Sequence, residues 1–253
     1  MVDGSLPRTL LTRRKALACL ASLFAMPSAA APATSHRSTT TPFAKVVPGY
    51  KMQFPRDEGS HPDFRIEWWY VTGWLQDAGK PLGFQVTFFR ARPHLKHDNP
   101  SRFTPHQILI AHAALSDPSH GRLIHEQRAA RTGFGLAGAD EGRTRVWIDE
   151  WRLHQEGRIY RAWIPTQEFS IDLVLDAVQP PLLQGENGFS RKGPAPESAS
   201  YYYSIPHLKV RGNVTRSGIV QQVTGTAWMD HEWSSQYLEK EATGWDWIGI
   251  NLD

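Results

Sequence analysis

From about residue 61 onward the chain alternates short apolar runs with turn-forming residues. EFSIDLVLDAV (168–178) sets Phe169, Ile171, Leu173 and Leu175 at every second position against polar partners, the pattern of a strand buried on one face. IEWWYVTGWL (66–75) and PLGFQVTFFRAR (81–92) flank the hairpin-type turn QDAGK. QILIAHAALSD (107–117) and RLIHEQRAA (122–130) meet across Ser119-His120-Gly121. TRVWIDEWRLHQEGRIYRAWIP (144–165) reads as two strands around QEG. A bulge is expected near Glu150, because Val146, Ile148 and Trp151 do not keep one parity. SYYYSIPHLKVRGNVT and GIVQQVTGTAWMD form a further pair. Helical spacing with a cap occurs only at SSQYLEKEA (234–242), before Gly244. Many short strands at regular spacing predict an all-β protein, an antiparallel sandwich or barrel.

Two segments break the pattern. Residues 179–199, QPPLLQGENGFSRKGPAPESA, are an irregular loop, either a surface excursion or a flap over a barrel mouth. WWYVTGWLQ (68–76) is echoed by WDWIGINLD (245–253), as though a second copy of the first strand began there. Similarity between two Trp-rich strands also arises by chance.

Composition changes the picture at the N-terminus. TRRKALACLASLFAMPSAAAPA (12–33) has a basic start, an apolar run and small residues at its end, so residues 1–33 are expected to be a secretory signal peptide. Arg13-Arg14 suggests the twin-arginine type, with an ordinary secretory signal as the alternative. The expected location is periplasmic or secreted. Residues 34–60 follow as a polar linker and entry segment. Cys19, the one cysteine, lies in the leader, and Ala16 three residues before it does not suit a lipoprotein box. Disulfide and thiolate chemistry are therefore not expected after cleavage. Arg8, Arg13, Arg14 and Lys15 against Asp3 account for the whole net charge of +3. The rest carries 24 basic and 24 acidic residues. That removes the simplest case for a nucleic-acid partner, which needs a concentrated basic face. All ten tryptophans lie between Trp68 and Trp247, an excess suited to a β core or a large apolar pocket.

The chemistry concentrates in WMDHEWSS (228–235), where Trp228 and Trp233 enclose Asp230, His231 and Glu232. Strand alternation puts Asp230 and Glu232 on one face and His231 with Trp233 on the other. Glu67 in EWWY (67–70) is either a second acid or the partner of a buried Arg65 or Arg90. His61, Asp63, His112, Asp230, His231 and Glu232 are metal-ligand types, but none has a chelating spacing, and no metal or cofactor is expected. No Gly-x-Ser-x-Gly elbow supplies a hydrolase nucleophile. His94, His97 and His106 sit in a polar connection, as solvated loop histidines do. Tyr201 to Tyr203 must point to alternate faces.

HPDFRIEWWYVTGWL (61–75), SYYYSIPHLKVRG (200–212), GTAWMDHEWSS (225–235) and GWDWIGINLD (244–253) together resemble the AttH-type lipocalin-like proteins. This group is related to carotenoid 1,2-hydratases and is often labelled predicted secreted hydrolase. The resemblance spans about residues 43–253. It implies tandem lipocalin-like β-barrels, the first over residues 61–240 and the opening strand of a second, truncated, over 241–253. In the hydratase branch, water adds across a terminal trisubstituted alkene of an acyclic carotenoid. That needs a carboxylic acid kept protonated in an apolar site, a base, and an aromatic face for the carbocation. Asp230, His231, Glu232 and Trp233 are the candidate catalytic residues. His231-x-Trp233 matches the family's His-x-Trp pattern, which favours their face. Glu67, Trp68, Tyr70, Tyr202 and Trp228 are the candidate ligand-binding residues. The expected partner is an apolar lipid or isoprenoid, with transient membrane contact. A non-catalytic periplasmic lipid binder and a secreted hydrolase are the alternatives. The structural alternative for Asp230, His231 and Glu232 is loop capping, ion pairing and core hydrogen bonding.

Overall fold

The computed structural model describes residues 42–94, 101, 103–239 and 241–251. The expected leader at 1–33 and His97 lie outside them. Thirteen strands form one antiparallel sheet: β1 (Ile66–Asp77), β2 (Lys80–Ala91), β3 (Ile108–Ser116), β4 (Leu123–Arg131), β5 (Ala137–Ala139), β6 (Arg145–Ile148), β7 (Trp151–Glu156), β8 (Ile159–Pro165), β9 (Phe169–Asp176), β10 (Leu182–Leu183), β11 (Phe189–Arg191), β12 (Ala199–Arg216) and β13 (Ile219–Ser234). Their order is β4-β3-β2-β1-β13-β12-β9-β8-β7-β6-β5, with β10 and β11 added against β12. β6 approaches β3 and β4, so the sheet curls into a nearly closed barrel. This is the all-β, lipocalin-like architecture expected of such a strand pattern.

Alternation decides which side chains fill the barrel. Trp69, Val71 and Leu75 of β1, Phe84, Val86 and Phe88 of β2, and Ile171, Leu173 and Leu175 of β9 all point inward and are buried. β12 keeps both ends of its length in the core by slipping register between Ile205 and Leu208, where His207 takes φ 54°. Tyr201, Tyr203 and Ile205 face inward before the bulge, and Leu208 and Val210 after it.

Three local expectations change. Residues 144–165 form three strands. The irregularity near Glu150 is a full reversal, with Asp149 at φ 51° between β6 and β7, not a bulge. Residues 235–239 form no helix, because Tyr237 and Leu238 are drawn onto the barrel's outer wall instead of winding a free amphipathic turn. Residues 241–251 form no strand, and Trp245 and Trp247 lie along the same wall.

The entry segment is part of the barrel. Val46 is buried. The Tyr201 hydroxyl donates to the Val47 carbonyl and accepts from its N–H, both at 3.0 Å. A 3-10 turn (Arg56–Glu58) buries Asp57 beneath the sheet end. Gly59 follows with no room for a side chain, since a Cβ there would lie 2.1 Å from the Gly142 nitrogen. Close approach of the two backbones requires glycine.

Candidate functional site

At one end of the barrel, β1, β13 and β12 run side by side. Trp69, His231 and Tyr203 share one row, Trp68, Glu232 and Tyr202 the next, and Tyr70, Asp230 and Ser204 another. Because successive residues point to opposite faces, odd-numbered and even-numbered positions of β1 and β13 build two separate environments.

The inner environment centres on Glu67, which is fully buried. Its Oε2 accepts from Arg90 Nε (2.7 Å), the His61 N–H (2.9 Å) and Ser60 Oγ (3.2 Å). Its Oε1 meets His61 Nδ1 at 2.7 Å and His231 Nε2 at 2.9 Å. Burial alone would push the Glu67 carboxyl upward. Arg90, His231 and His61 outweigh it and hold it well below the usual carboxylate range. His231 goes the other way. Burial pushes its imidazole down, against the pull of Glu67. The neutral ring then donates from Nε2 to Glu67 and accepts at Nδ1 from the Tyr203 hydroxyl, 3.0 Å away. Burial also opposes charge on His61, but Asp57 (3.4 Å) and Glu67 together hold it raised. Trp233 stacks on His61 with centroids 3.7 Å apart, and Trp69 on His231 at 4.7 Å. Five donor atoms converge on one carboxylate, and aromatic rings enclose the rest.

The outer environment is a cleft of about 690 Å³ against β1, β2 and β13. Trp68, Tyr70, Phe89, Tyr202, Tyr237 and Trp247 supply most of its wall, and Asp230 and Glu232 lie among them. Both carboxyls are only 3% exposed although they sit on the outward face. Asp230 Oδ1 accepts from Ser204 Oγ (2.6 Å) and Trp228 Nε1 (2.7 Å), both neutral donors. Burial raises the Asp230 carboxyl, and these hydrogen bonds only partly oppose it. Glu232 is also raised by burial, but Lys192 Nζ at 2.8 Å pulls it back, and Ser200 Oγ donates to the same oxygen. Lys192 comes from the irregular 179–199 loop. Its ammonium lies 4.9 Å from the Tyr202 ring and 5.1 Å from the Tyr237 ring. The loop is tied down where Glu239 accepts from the Ala195 N–H at 3.0 Å.

The structure thus divides the residues expected to act together. Asp230 and Glu232 join Trp68, Tyr70 and Tyr202 around the cleft, with Trp228 bonded to Asp230. His231 and Trp233 lie on the opposite face, fully buried and outside the cleft lining. Strand alternation imposes that division, since β13 carries no bulge between 228 and 234. Glu67 is the partner of Arg90, one of its two expected arginines, and reaches the cleft at its inner edge. Lys192, Ser200, Ser204 and Tyr237 were not singled out by sequence. Only Lys192 had a signal, as the lysine of a loop read as a candidate flap. His61, Glu67 and His231 bring ligand-type atoms within 4.8 Å of one another. Both imidazoles hydrogen-bond the same oxygen, Oε1, and Arg90 holds Oε2, so the donor set as it stands is a hydrogen-bonded hub. Asp63 and His112 lie apart from that cluster.

A family model described as AttH-like matches residues 45–253. Among solved structures, a protein described as an AttH from Nitrosomonas europaea superposes with a TM-score of 0.73 at 52% identity, over 79% of this chain and 61% of that one. Kievitone hydratase from Nectria haematococca superposes with a TM-score of 0.53 at 11% identity, over 77% of this chain and 56% of that one. At that identity the likeness is one of fold. The chain spans less than two thirds of the length of both proteins. No protein of curated function matches it.

Proposed function

The chain belongs to the AttH-like family, and from that premise we propose that it is an exported protein whose outer cleft binds an apolar lipid or isoprenoid and adds water to its alkene. One observation carries the reading. Asp230 is a carboxyl 3% exposed, among aromatic rings, with hydrogen bonds from neutral donors and a raised pKa. A carboxylic acid kept protonated in an apolar site is what alkene protonation requires.

Asp230 gives its proton to one alkene carbon, leaving a carbocation at the other. The faces of Trp68, Tyr70 and Tyr202 stabilise that charge. Water adds to the cation and gives its excess proton to Glu232, which Lys192 favours as a carboxylate. Return of a proton to Asp230 closes the cycle, and the net change is one water added. His231 and Trp233 do not touch the cleft. They are positioning residues: His231 holds β13 through Glu67 and Tyr203, and Trp233 stacks on His61. The export reading rests on the basic start and apolar run of residues 1–33.

The cleft's apolar lining also suits a binder without turnover. One experiment separates the two. The purified protein and Asp230→Asn are incubated in heavy-oxygen water with an acyclic isoprenoid bearing a terminal trisubstituted alkene, and products are read by mass spectrometry. Labelled alcohol from the native chain, lost in Asp230→Asn with binding retained, is expected. Ligand bound without label incorporation establishes the binder. Undiminished turnover in Asp230→Asn overturns the assignment of the acid.

A further inference from the structure

The outer wall carries a second cleft, of about 680 Å³, which meets the first beside Asp230. Gln85 and Trp247 line both clefts. Trp228 lines the second and gives its indole N–H to Asp230 in the first. Cross-strand register sets the order of the outward rows. Trp68 pairs with Glu232, Tyr70 with Asp230, Thr72 with Trp228, and Trp74 with Thr226. The acid therefore sits one row from the junction. At about 3.3 Å per residue, the wall runs on for about 13 Å from Asp230 to Thr226.

Trp247 stands at the junction. Its indole donates to the Tyr202 hydroxyl at 3.4 Å and meets the Tyr70 and Trp228 rings edge-on at 5.4 and 6.3 Å. Gly249 lies against it so closely that a Cβ there would be 2.8 Å from the ring. Beyond this indole the chemistry changes. Gly83, opposite Trp74, and Ala114, opposite Gln85, keep the outer face of β2 and β3 low. Polar groups come from Thr72, Gln85, Ser116, Thr226 and Asn251. Gln85 gives an amide N–H to Thr87 Oγ1 at 3.0 Å, which leaves its carbonyl oxygen as an acceptor. Among the described residues, no charged side chain lines this second cleft. The first, by contrast, holds Asp230, Glu232 and Arg65.

We propose that the ligand is a linear isoprenoid with an uncharged polar far end, and that the second cleft holds that end. The proposal rests on the hydration reading of the first cleft. In that reading Trp68, Tyr202 and Glu232 act on the carbocation, and all three share the row on the far side of Asp230 from Trp228. The reacting terminus lies there, so the rest of the chain leaves past Trp228 and Trp247 into the second cleft. A phosphate or carboxylate carried that far would lose water and find no counter-ion. A hydroxyl would find the Gln85 carbonyl and the Thr226 hydroxyl as neutral partners.

The test is calorimetric titration of the full chain with linear isoprenoids: the alcohol of three isoprene units, its monophosphate, and the alcohol of two units. The longer alcohol is expected to bind at least about tenfold tighter than the shorter, from the extra apolar surface buried, and at least about tenfold tighter than the phosphate. Ser116→Phe fills the second cleft from an exposed position on its rim. It should remove the advantage of the longer alcohol over the shorter. A phosphate that binds as tightly as the alcohol, an affinity indifferent to chain length, or an advantage that survives Ser116→Phe overturns the proposal and leaves the first cleft's reading intact. The expected affinities without incorporation of heavy-oxygen label would instead sink hydration alone. No binding by any of the three overturns both.

Discussion

Two faces of the same strands, one residue apart, hold carboxyl groups in opposite condition. Glu67 faces inward and is met by Arg90, two histidines and a backbone N–H. Asp230 faces outward and is met by a serine and an indole. Both are buried. The first is held down by cationic and hydrogen-bonding partners and the second is held up by burial. Burial alone therefore does not mark a reactive acid. The sign of the partners does. A carboxylate with a guanidinium is a structural anchor, and a carboxyl with only neutral donors in an aromatic cleft is the candidate proton source of the proposed reaction.

The strongest way to break this contrast is to remove each carboxyl in turn. Glu67→Ala leaves Arg90 buried without its counter-ion, a loss of about 3–5 kcal/mol. Against a total stability of about 5–15 kcal/mol, that shifts most of the unfolding transition, and chemical denaturation would measure it. A variant as stable as the native chain would show that the hub is no anchor. Asp230→Asn should instead lower turnover by about 10²–10⁴-fold while leaving the denaturation midpoint nearly unchanged. A coincident collapse of stability would erase the distinction between the faces.

Stability against pH sharpens the contrast by sign. Glu67 is depressed, so its contribution is present above about pH 4.3 and lost as pH falls through its lower folded value. His61 is raised. Its contribution is present below about pH 6.5 and lost as pH rises through its folded value. Asp230, raised without a cation, costs stability once pH exceeds about 3.9, where the unfolded chain would ionise. His231, pushed down by burial, costs stability below about pH 6.5, where the unfolded chain would protonate, so native stability should peak near neutrality and decline as pH rises through the folded value of His61. Asp230→Asn should be at least as stable as the native protein at pH 8, whereas Glu67→Gln should be less stable at every pH above 5. Urea titrations at several pH values would read both. The smallest expected change is Lys192→Met, which removes the cation from Glu232. The acid limb of the pH–rate profile should move to higher pH, and an unmoved limb would take Glu232 out of the role of base.

Much of this was written in local pattern. Phe169 to Leu175 alternate so regularly that β9 follows from period two, and Asp230 and Glu232 had to share a face opposite His231 and Trp233. The β6–β7 reversal was not legible, because Asp149 in left-handed backbone looks locally like an irregular strand position. The SSQYLEKEA stretch read as helical, yet the apolar wall outside β1 and β2 takes Tyr237 and Leu238 more effectively than a short exposed helix stabilises itself.

Sequence by itself determined the strand periods and the two parities of WMDHEW, and offered Arg65 and Arg90 as partners for Glu67 beside a role as second acid, since these depend on neighbours in the chain and on the cost of burying charge. Only the tertiary structure decided that His61 returns from the entry segment onto Glu67, that Lys192 reaches Glu232 from a loop 40 residues away, and that the large apolar cleft lies on the outer wall. Those are meetings of residues distant in sequence. Their pairing energies exist only once the barrel has closed the distance, so no local pattern records them.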